Sequence, residues 1–334
     1  MIDAAKAPAS TPPPLHREWA PLDTRLDRLR LYPLPGGHGP EDVAVDADGG
    51  LVTGAEDGRL WRWPAHGLDA PASAPHLLAQ TGGRPLGIEV DPRDGSLIVC
   101  DALRGLLRVT PDGAVTPLAD RAGGKPILFC NNAAVAADGT VYFTDSSDRY
   151  PISAWRLDVL EHRPNGRLLA YHPGTGRAEV IADRLYFPNG VALTPDGSAL
   201  LLVETTTHRL LRVTLAGPRA GELSELADLP AYPDNMAAAG DDRYWIALAS
   251  PRLAVLERLL PYPRVRQVVG VVPQRLQPQP KRYGLAALVD GDGRVLRTLH
   301  GPAGRYSMIT GVRQDEGTLW LGSLTEAAVA RVAL

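Results

Sequence analysis

The sequence predicts an all-β chain wound into a six-bladed β-propeller, with a helical or loop insertion over the top face. Three observations carry that prediction. A short phrase returns six times: a starting residue, an alternating apolar run, an Asp-Gly or related turn, and a second strand. The copies begin at Glu41 (EDVAVDADGGLVTG), Leu86 (LGIEVDPRDGSLIV), Asn131 (NNAAVAADGTVYFT), Asn189 (NGVALTPDGSALLL), Asp234 (DNMAAAGDDRYWIA) and Thr310 (TGVRQDEGTLWLG). A strand–turn–strand unit repeated every few tens of residues is the sequence form of a propeller blade. Six further apolar runs, GRLWRW, GLLRVT, GRLLAYH, HRLLRVTL, GRVLRTLH and AAVARVAL, read as the outer strands of the same blades. The composition agrees: 34 Gly and 31 Pro but only 3 Phe suit many turns between short strands.

Taken in order, residues 1–20 (MIDAAKAPASTPPPLHREWA) are rich in Ala, Pro and Ser and are predicted to be disordered or draped over the surface. The stretch DTRLDRLRLY then reads either as a helical turn or as an outer strand closing the ring with the last blade. Residues 21–334 are expected to form one propeller domain. Within each blade the apolar alternation has period two, and the DG, PDG and DDR turns separate paired strands. Two segments break the pattern. Residues 147–164 interrupt blade three and carry Tyr150 and Trp155. Residues 251–283 interrupt blade five and open with PRLAVLERLLPY, where Leu253, Leu256, Leu259 and Leu260 share a helical face. The second insertion is expected to lie over one mouth of the ring.

A net charge of −3 and a pI near 6.2 give no electrostatic case for nucleic acid or an anionic membrane as partner. No apolar run is long enough to span a bilayer, and the start lacks the basic-then-apolar pattern of a signal peptide. The two cysteines, Cys100 and Cys130, demand no disulfide, so a cytoplasmic location is expected. Cys130 beside Asn131 reads as a small packed thiol rather than a nucleophile, since no histidine stands near it in sequence.

The first residue of each inner strand starts at the same face of a propeller, close to its axis. Glu41, Asn131, Asn189 and Asp234 therefore converge, with Leu86 and Thr310 completing the ring. Two carboxylates and two amide oxygens form a hard-cation donor set, suited to Ca²⁺ and poor for zinc. Asn and Asp also favour loops between blades for their local hydrogen bonding, and that reading stands beside the metal one. One residue further on, Asn132 and Asn235 are candidates to add a ligand or orient the set, and Asp42 is a candidate for a second, structural cation. The second strand climbs back to the same face, bringing Asp101, Asp145, Glu204, Ala249 and Ser323 toward the mouth. Glu204 and Asp145 are candidate proton shuttles, or else bind loop backbone. His38, just before Glu41, reads as a loop residue or as the histidine nearest the cation, and His208 as a surface residue. No nucleophile elbow, phosphate loop or dinucleotide fingerprint is present.

The runs DGTVYFTDSSDRY, RPNGRLLAYHPGTG, YFPNGVALTPDG and LLVETTTHRLLRV closely resemble the strictosidine synthase-like family. So do AYPDNMAAAGDDRYWIAL, KRYGLAALVDGDGRVLRTLHGP, ITGVRQDEGTLWLGSL and, in blade one, GPEDVAVDADG. The resemblance covers nearly the whole chain beyond residue 35 and extends to the paraoxonases, gluconolactonases and diisopropyl fluorophosphatase. It implies a calcium ion in the channel, held by residues that fall on Glu41, Asn131, Asn189 and Asp234. Two departures bear on the reaction. The plant Pictet–Spengler enzymes of the family use a glutamate where SMITGVRQ stands, and this chain has Thr310 there, with no carboxylate before Asp315. The paraoxonase-type histidine falls on Leu86. What the resemblance leaves is a metal with its aspartate. The expected activity is therefore calcium-dependent hydrolysis of a lactone or other ester, with organophosphates as promiscuous substrates. Asp234 would be base or nucleophile, Glu41 the main anchor, and the Trp155 loop and Leu-rich insertion the walls of a partly apolar pocket for a small molecule. A lyase, cyclase or condensing enzyme, or a propeller binding calcium only for structure, are the alternatives.

Overall fold

A computed structural model describes residues 2–9, 19, 23–68 and 74–334. Six antiparallel four-stranded sheets stand around one axis. Blade one runs outward through Val43–Val45, Leu51–Gly54, Arg59–Trp63 and His76–Gln80. Blades two to five follow the same order from the inner strands Pro85–Val90, Cys130–Val135, Pro188–Leu193 and Ala231–Ala238. Blade six is built from both ends of the chain. Ile309–Asp315, Thr318–Ser323 and Ala328–Ala333 form its inner three strands, and Arg30–Pro33 pairs outside them, Arg30 opposite Arg331 and Pro33 opposite Ala328. The segment DTRLDRLRLY thus does both things its sequence allows: Arg25–Asp27 is a short 3-10 turn and Arg30–Pro33 closes the ring.

The expected outer strands need one correction. In blades one to four they are third strands, and a fourth lies beyond each, such as His76–Gln80 and Leu223–Asp228. In blade five the third strand is Gly284–Asp290, and GRVLRTLH supplies the fourth, Val295–Gly301. The fourth strands of blades one to four face solvent along much of their length, so they lack the apolar alternation that makes inner strands legible.

The core is not one mass but six. Each blade buries both faces, and alternate residues go to opposite neighbours. Val99 packs with Val52 and Leu107 between blades one and two, whereas its neighbour Ile98 packs with Phe143 between blades two and three. The ring continues through separate clusters between blades three and four, four and five, five and six, and six and one. That is why a middle strand such as Ala199–Glu204 is buried at every position. Tight DG turns link inner pairs, with Gly95, Gly139 and Gly197 at φ of +73°, +86° and +68°.

Near the axis the second residue of each unit alternates in kind. Blades one, three and five place Asp42, Asn132 and Asn235 there, and blades two, four and six place Gly87, Gly190 and Gly311. The glycines are sites of close approach. A Cβ on Gly190 would stand 2.3 Å from the Met236 amide nitrogen and 2.7 Å from the Asp234 carbonyl oxygen. Gly190→Ala is therefore expected to lower stability by about 1–3 kcal/mol, the range of an overpacked core. Gly174→Ala, with nothing within 4 Å, serves as control. Urea midpoints for the two variants check this.

Two insertions form a cap over one mouth. That of blade three contains α1 (Trp155–Glu161); that of blade five contains α2 (Ala254–Leu259) and α3 (Pro263–Val271). Arg266 of α3 is buried and donates Nη1 to the carbonyls of Leu160 (2.6 Å) and Glu161 (3.2 Å), and Nη2 to Leu260 (3.0 Å) and Ala5. One guanidinium thus gathers the carbonyl ends of α1 and α2, where cations are favoured. The N-terminal segment joins in. Ile2 and Ala4 are buried with Leu160, Leu157 and Val269, and the Ala5 amide donates to Glu161 (2.9 Å). Residues 2–9 thus drape along the cap and pack against it. Trp19 is buried against the interface of blades four and five, and residues 1, 10–18 and 20–22 lie outside the described residues. No helix among the described residues is long and apolar enough to cross a membrane.

Candidate active site

All six first residues, Glu41, Leu86, Asn131, Asn189, Asp234 and Thr310, line one cavity of about 460 Å³ between the ring and the cap. A shared local irregularity delivers them. In blades two to five the register of the innermost pair shifts between Pro85 and Ile88, Cys130 and Ala133, Pro188 and Val191, and Pro233 and Met236. Each bulge encloses the first and second residues of its unit. Strict alternation would send these two to opposite faces, and the bulge frees both to serve the axis.

Two repeated relays then orient the amides. Asn131 Nδ2 donates to Ser146 Oγ (2.8 Å), which donates to the Pro188 carbonyl of the next blade (2.8 Å). Asn189 Nδ2 donates to Thr205 Oγ1 (3.3 Å), which donates to the Pro233 carbonyl (2.8 Å). With both NH₂ groups spent, Asn131 Oδ1 and Asn189 Oδ1 are buried and without a hydrogen-bond partner. A buried amide oxygen left unpaired costs about 1–3 kcal/mol unless something else satisfies it.

The carboxylates are held from behind as well. Asn235 Nδ2 donates to both oxygens of Glu41 at 3.1 Å, and Thr310 Oγ1 donates to the Glu41 carbonyl (2.7 Å). Burial, then the charges of Asp234 and Asp42, push the Glu41 carboxyl well above the ordinary range, opposed by Arg84 and the Asn235 amide. Asp234 keeps part of its surface open, and burial raises its carboxyl to about 7 against hydrogen bonds from Asn189 and the Asn235 backbone. Two crowded carboxylates and two unpaired amide oxygens at one wall fit a hard divalent cation. Among the described residues no three His, Cys, Asp or Glu side chains cluster as ligands, so the amides are needed to complete the set.

Other candidates have different duties. Glu204 does not line the cavity, which corrects its expected catalytic role. Its Oε1 accepts from the Tyr186 amide (2.8 Å), and its Oε2 accepts from Thr207 and from Arg209 Nη2 (2.6 Å). Asp145 is likewise taken by the Phe129 amide (2.8 Å) and by Arg167. Asp101 accepts from the Arg84, Leu103 and Arg104 amides. These three are one device repeated: an acid at the end of the second strand pins the chain entering the inner strand of its own blade. Ser323 does this in blade six by donating to the Ser307 carbonyl (2.7 Å).

Asn132 Oδ1 accepts from Val191 N (3.1 Å) and Asp42 Oδ2 from Ile88 N (3.0 Å), so both knit blades together. Burial raises the Asp42 carboxyl to about 7. His208 is buried rather than on the surface, with its ring against Tyr232 and Nε2 3.4 Å from Glu257 Oε1 beneath α2. His38 is exposed and serves its loop through its carbonyl. Cys100 and Cys130 are free and buried, and burial pushes the Cys130 thiol up, away from nucleophilic use.

The remaining walls are apolar. Trp155 and Ile152 of the blade-three insertion pack with Leu86, Phe129 and Phe187, while Leu253 and Leu256 enter from the cap. Ser146, Thr205, Phe129 and Phe187 are the functional positions that sequence reasoning missed. The hydroxyls were visible only as the polar residues after the second strands in TDSS and ETTT.

A strictosidine synthase family profile matches residues 131–218, and a strictosidine synthase-like N-terminal profile matches residues 22–63. Protein STRICTOSIDINE SYNTHASE-LIKE 13 of Arabidopsis thaliana is 32% identical over 320 residues, covering 87% of this chain and 77% of the relative. STRICTOSIDINE SYNTHASE-LIKE 10 of the same plant is 34% identical over 319 residues, covering 88% and 85%. A solved gluconolactonase from Xanthomonas campestris shares the fold, with a TM-score of 0.65 at 20% identity over 100% of this chain and 99% of that one.

Proposed function

This chain belongs to the strictosidine synthase-like family, and from that premise we propose that it is a calcium-dependent hydrolase of lactones or other esters with a largely apolar body. The observation that carries the reading is the meeting of Glu41, Asp234 and two unpaired amide oxygens at one wall of an apolar cavity. Glu41, Asn131, Asn189 and Asp234 would hold the ion. When bound, calcium supplies the positive charge that polarises the substrate carbonyl and offsets the oxyanion formed from it. Asp234, open to the cavity, takes a proton from water as the water oxygen bonds to the carbonyl carbon. As the C–O bond to the leaving group breaks, that proton passes to the departing oxygen. Glu41, fixed by Asn235 and Thr310, stays an anchor.

The blade-six residues that line the cavity are Met308, Thr310 and Leu324. Asp315 stands at the far end of its strand, opposite Thr318, so blade six brings no carboxyl to a condensation reaction. The gluconolactonase above shares this scaffold, but walls made by Leu86, Phe129, Trp155 and Leu253 suit an apolar substrate better than a polyol.

The test is hydrolysis of aromatic esters, γ- and δ-lactones and a fluorophosphate, before and after EDTA and again after calcium. Turnover lost with chelator and restored by calcium is the expected result. No turnover, together with a calcium-dependent rise in Tm, would move the reading to a condensing enzyme or a binding propeller. Leu253→Ser, on the cavity wall, is expected to shift the kcat/KM ratio between long and short acyl esters by roughly tenfold, the worth of one or two methylenes. Its kcat on the short ester should hold.

A further inference from the structure

Arg84 stands apart from the other buried arginines. Arg167 pairs with Asp145, Arg252 with Asp228, and Arg266 spends its charge on four backbone carbonyls. Arg84 is only 4% exposed and lines the cavity beside Glu41. Among the described residues its guanidinium makes one hydrogen bond, from Nη1 to the Gly39 carbonyl (2.8 Å), and no ion pair. Buried Asp101 attracts the Arg84 charge but makes no hydrogen bond or ion pair with its guanidinium; its Oδ1 accepts from the Arg84 backbone amide (2.9 Å), and its Oδ2 has no hydrogen-bond partner. A guanidinium carries five N–H donors in a planar fork matched to a carboxylate. Keeping one buried with a single neutral acceptor is costly unless something else completes it.

The charge balance of the cavity shows what that is. Glu41 and Asp234 together neutralise a divalent cation, and Thr310, Asn131 and Asn189 are neutral. Glu41, Glu56 and the buried Asp101 attract the Arg84 charge, but Asp101 does not line the cavity and Glu56 is exposed, so no wall acid outside the candidate ligand set fills the guanidinium's fork from within. A carboxylate matches the unfilled N–H donors of Arg84 at the cavity wall, and a neutral ligand matches them less well.

We propose that Arg84 is the anion-recognition residue of this cavity, and that the preferred substrate is an ester or lactone whose apolar body carries a carboxylate. The ester part of this inference rests on the hydrolase reading; the anion subsite does not. Two measurements on calcium-loaded protein separate them. The first compares kcat/KM for phenyl hydrogen glutarate and its neutral isostere phenyl 5-methylhexanoate, in wild type, Arg84→Gln and Arg84→Lys. A charge-assisted hydrogen bond is worth roughly 10- to 100-fold. Arg84→Gln should therefore cost the anionic ester that much and the neutral ester less than about threefold on the same scale, with Arg84→Lys recovering part.

The second measures binding of 4-phenylbutyrate against 4-phenylbutyramide by calorimetry, which needs no turnover. The carboxylate should bind wild type roughly tenfold tighter, and the preference should vanish in Arg84→Gln. Equal binding of the two ligands by wild type, or an equal loss for both esters in Arg84→Gln, overturns the proposal and leaves Arg84 as a strut for the Gly39 loop. Carboxylate-selective binding with no ester turned over sinks the hydrolase reading alone. Where Arg84→Gln fails to fold, the wild-type ligand preference and its persistence in Arg84→Lys decide.

Discussion

Asp234→Asn is expected to lower kcat by roughly 10³-fold, the middle of the range for a lost general base, while the variant stays folded. The substitution keeps the size of the side chain and an oxygen for the cavity wall, but the amide accepts no proton from water. Asp234 is the residue to test because it is the carboxylate of the set with surface open to the cavity; Glu41 is 3% exposed and pinned on both oxygens by Asn235. A single turnover in ¹⁸O-water separates its two possible duties. Label in the acid product alone marks a base, and label in Asp234 marks a nucleophile. Full activity in Asp234→Asn would remove the mechanism.

Calcium is expected to raise Tm by roughly 4 °C when present at about 100 times its Kd, since that excess is worth about 2.7 kcal/mol and each kcal/mol moves a domain of this size by about 1.4 °C. The physical source is specific. Without a cation the ring holds two crowded carboxylates and two buried amide oxygens with no partner, Asn131 Oδ1 and Asn189 Oδ1. A hard ion satisfies all four at once. Asn131→Leu should abolish most of the calcium shift, because it deletes one of the four oxygens proposed to hold the ion and leaves Ser146 able to donate to Pro188. Magnesium, which needs a tighter octahedron, should shift Tm less. Differential scanning calorimetry in EDTA, calcium and magnesium tests this, and a Tm indifferent to all three would mean that the amide oxygens are satisfied in some other way.

Much of the architecture was legible because a propeller repeats its unit. Six DG-type turns between alternating runs announce six inner strand pairs, and the first residue of each run reports which side chains share a face. Glu41, Asn131, Asn189 and Asp234 do line one cavity. The outermost strands of blades one to four were not legible, since half-exposed edges such as Leu223–Asp228 carry no clean alternation. The second-strand acids were misjudged for a different reason. Glu204, Asp145 and Asp101 reach the right end of the blade, and period-two reasoning cannot tell an open carboxylate from one consumed by a neighbouring arginine or backbone amide. Arg209 and Arg167, which consume two of them, come from third strands whose register depends on hairpin lengths.

The sequence by itself determined the blade count, the two insertions and the ring of first residues, because each is a property of local periodicity that survives in one dimension. Only the tertiary structure decided how those residues present their atoms. The bulges that free paired positions, the relays through Ser146 and Thr205 that turn two amide oxygens out, and the cap that makes a cavity from two distant insertions all depend on contacts between blades. So does the isolation of Arg84. Its N–H donors go largely unfilled because none of the acids that attract it, Glu41, Glu56, Asp57 and the buried Asp101, forms an ion pair with the guanidinium. Whether a polar atom already has a partner is a fact about three-dimensional neighbours, and no spacing along the chain records it.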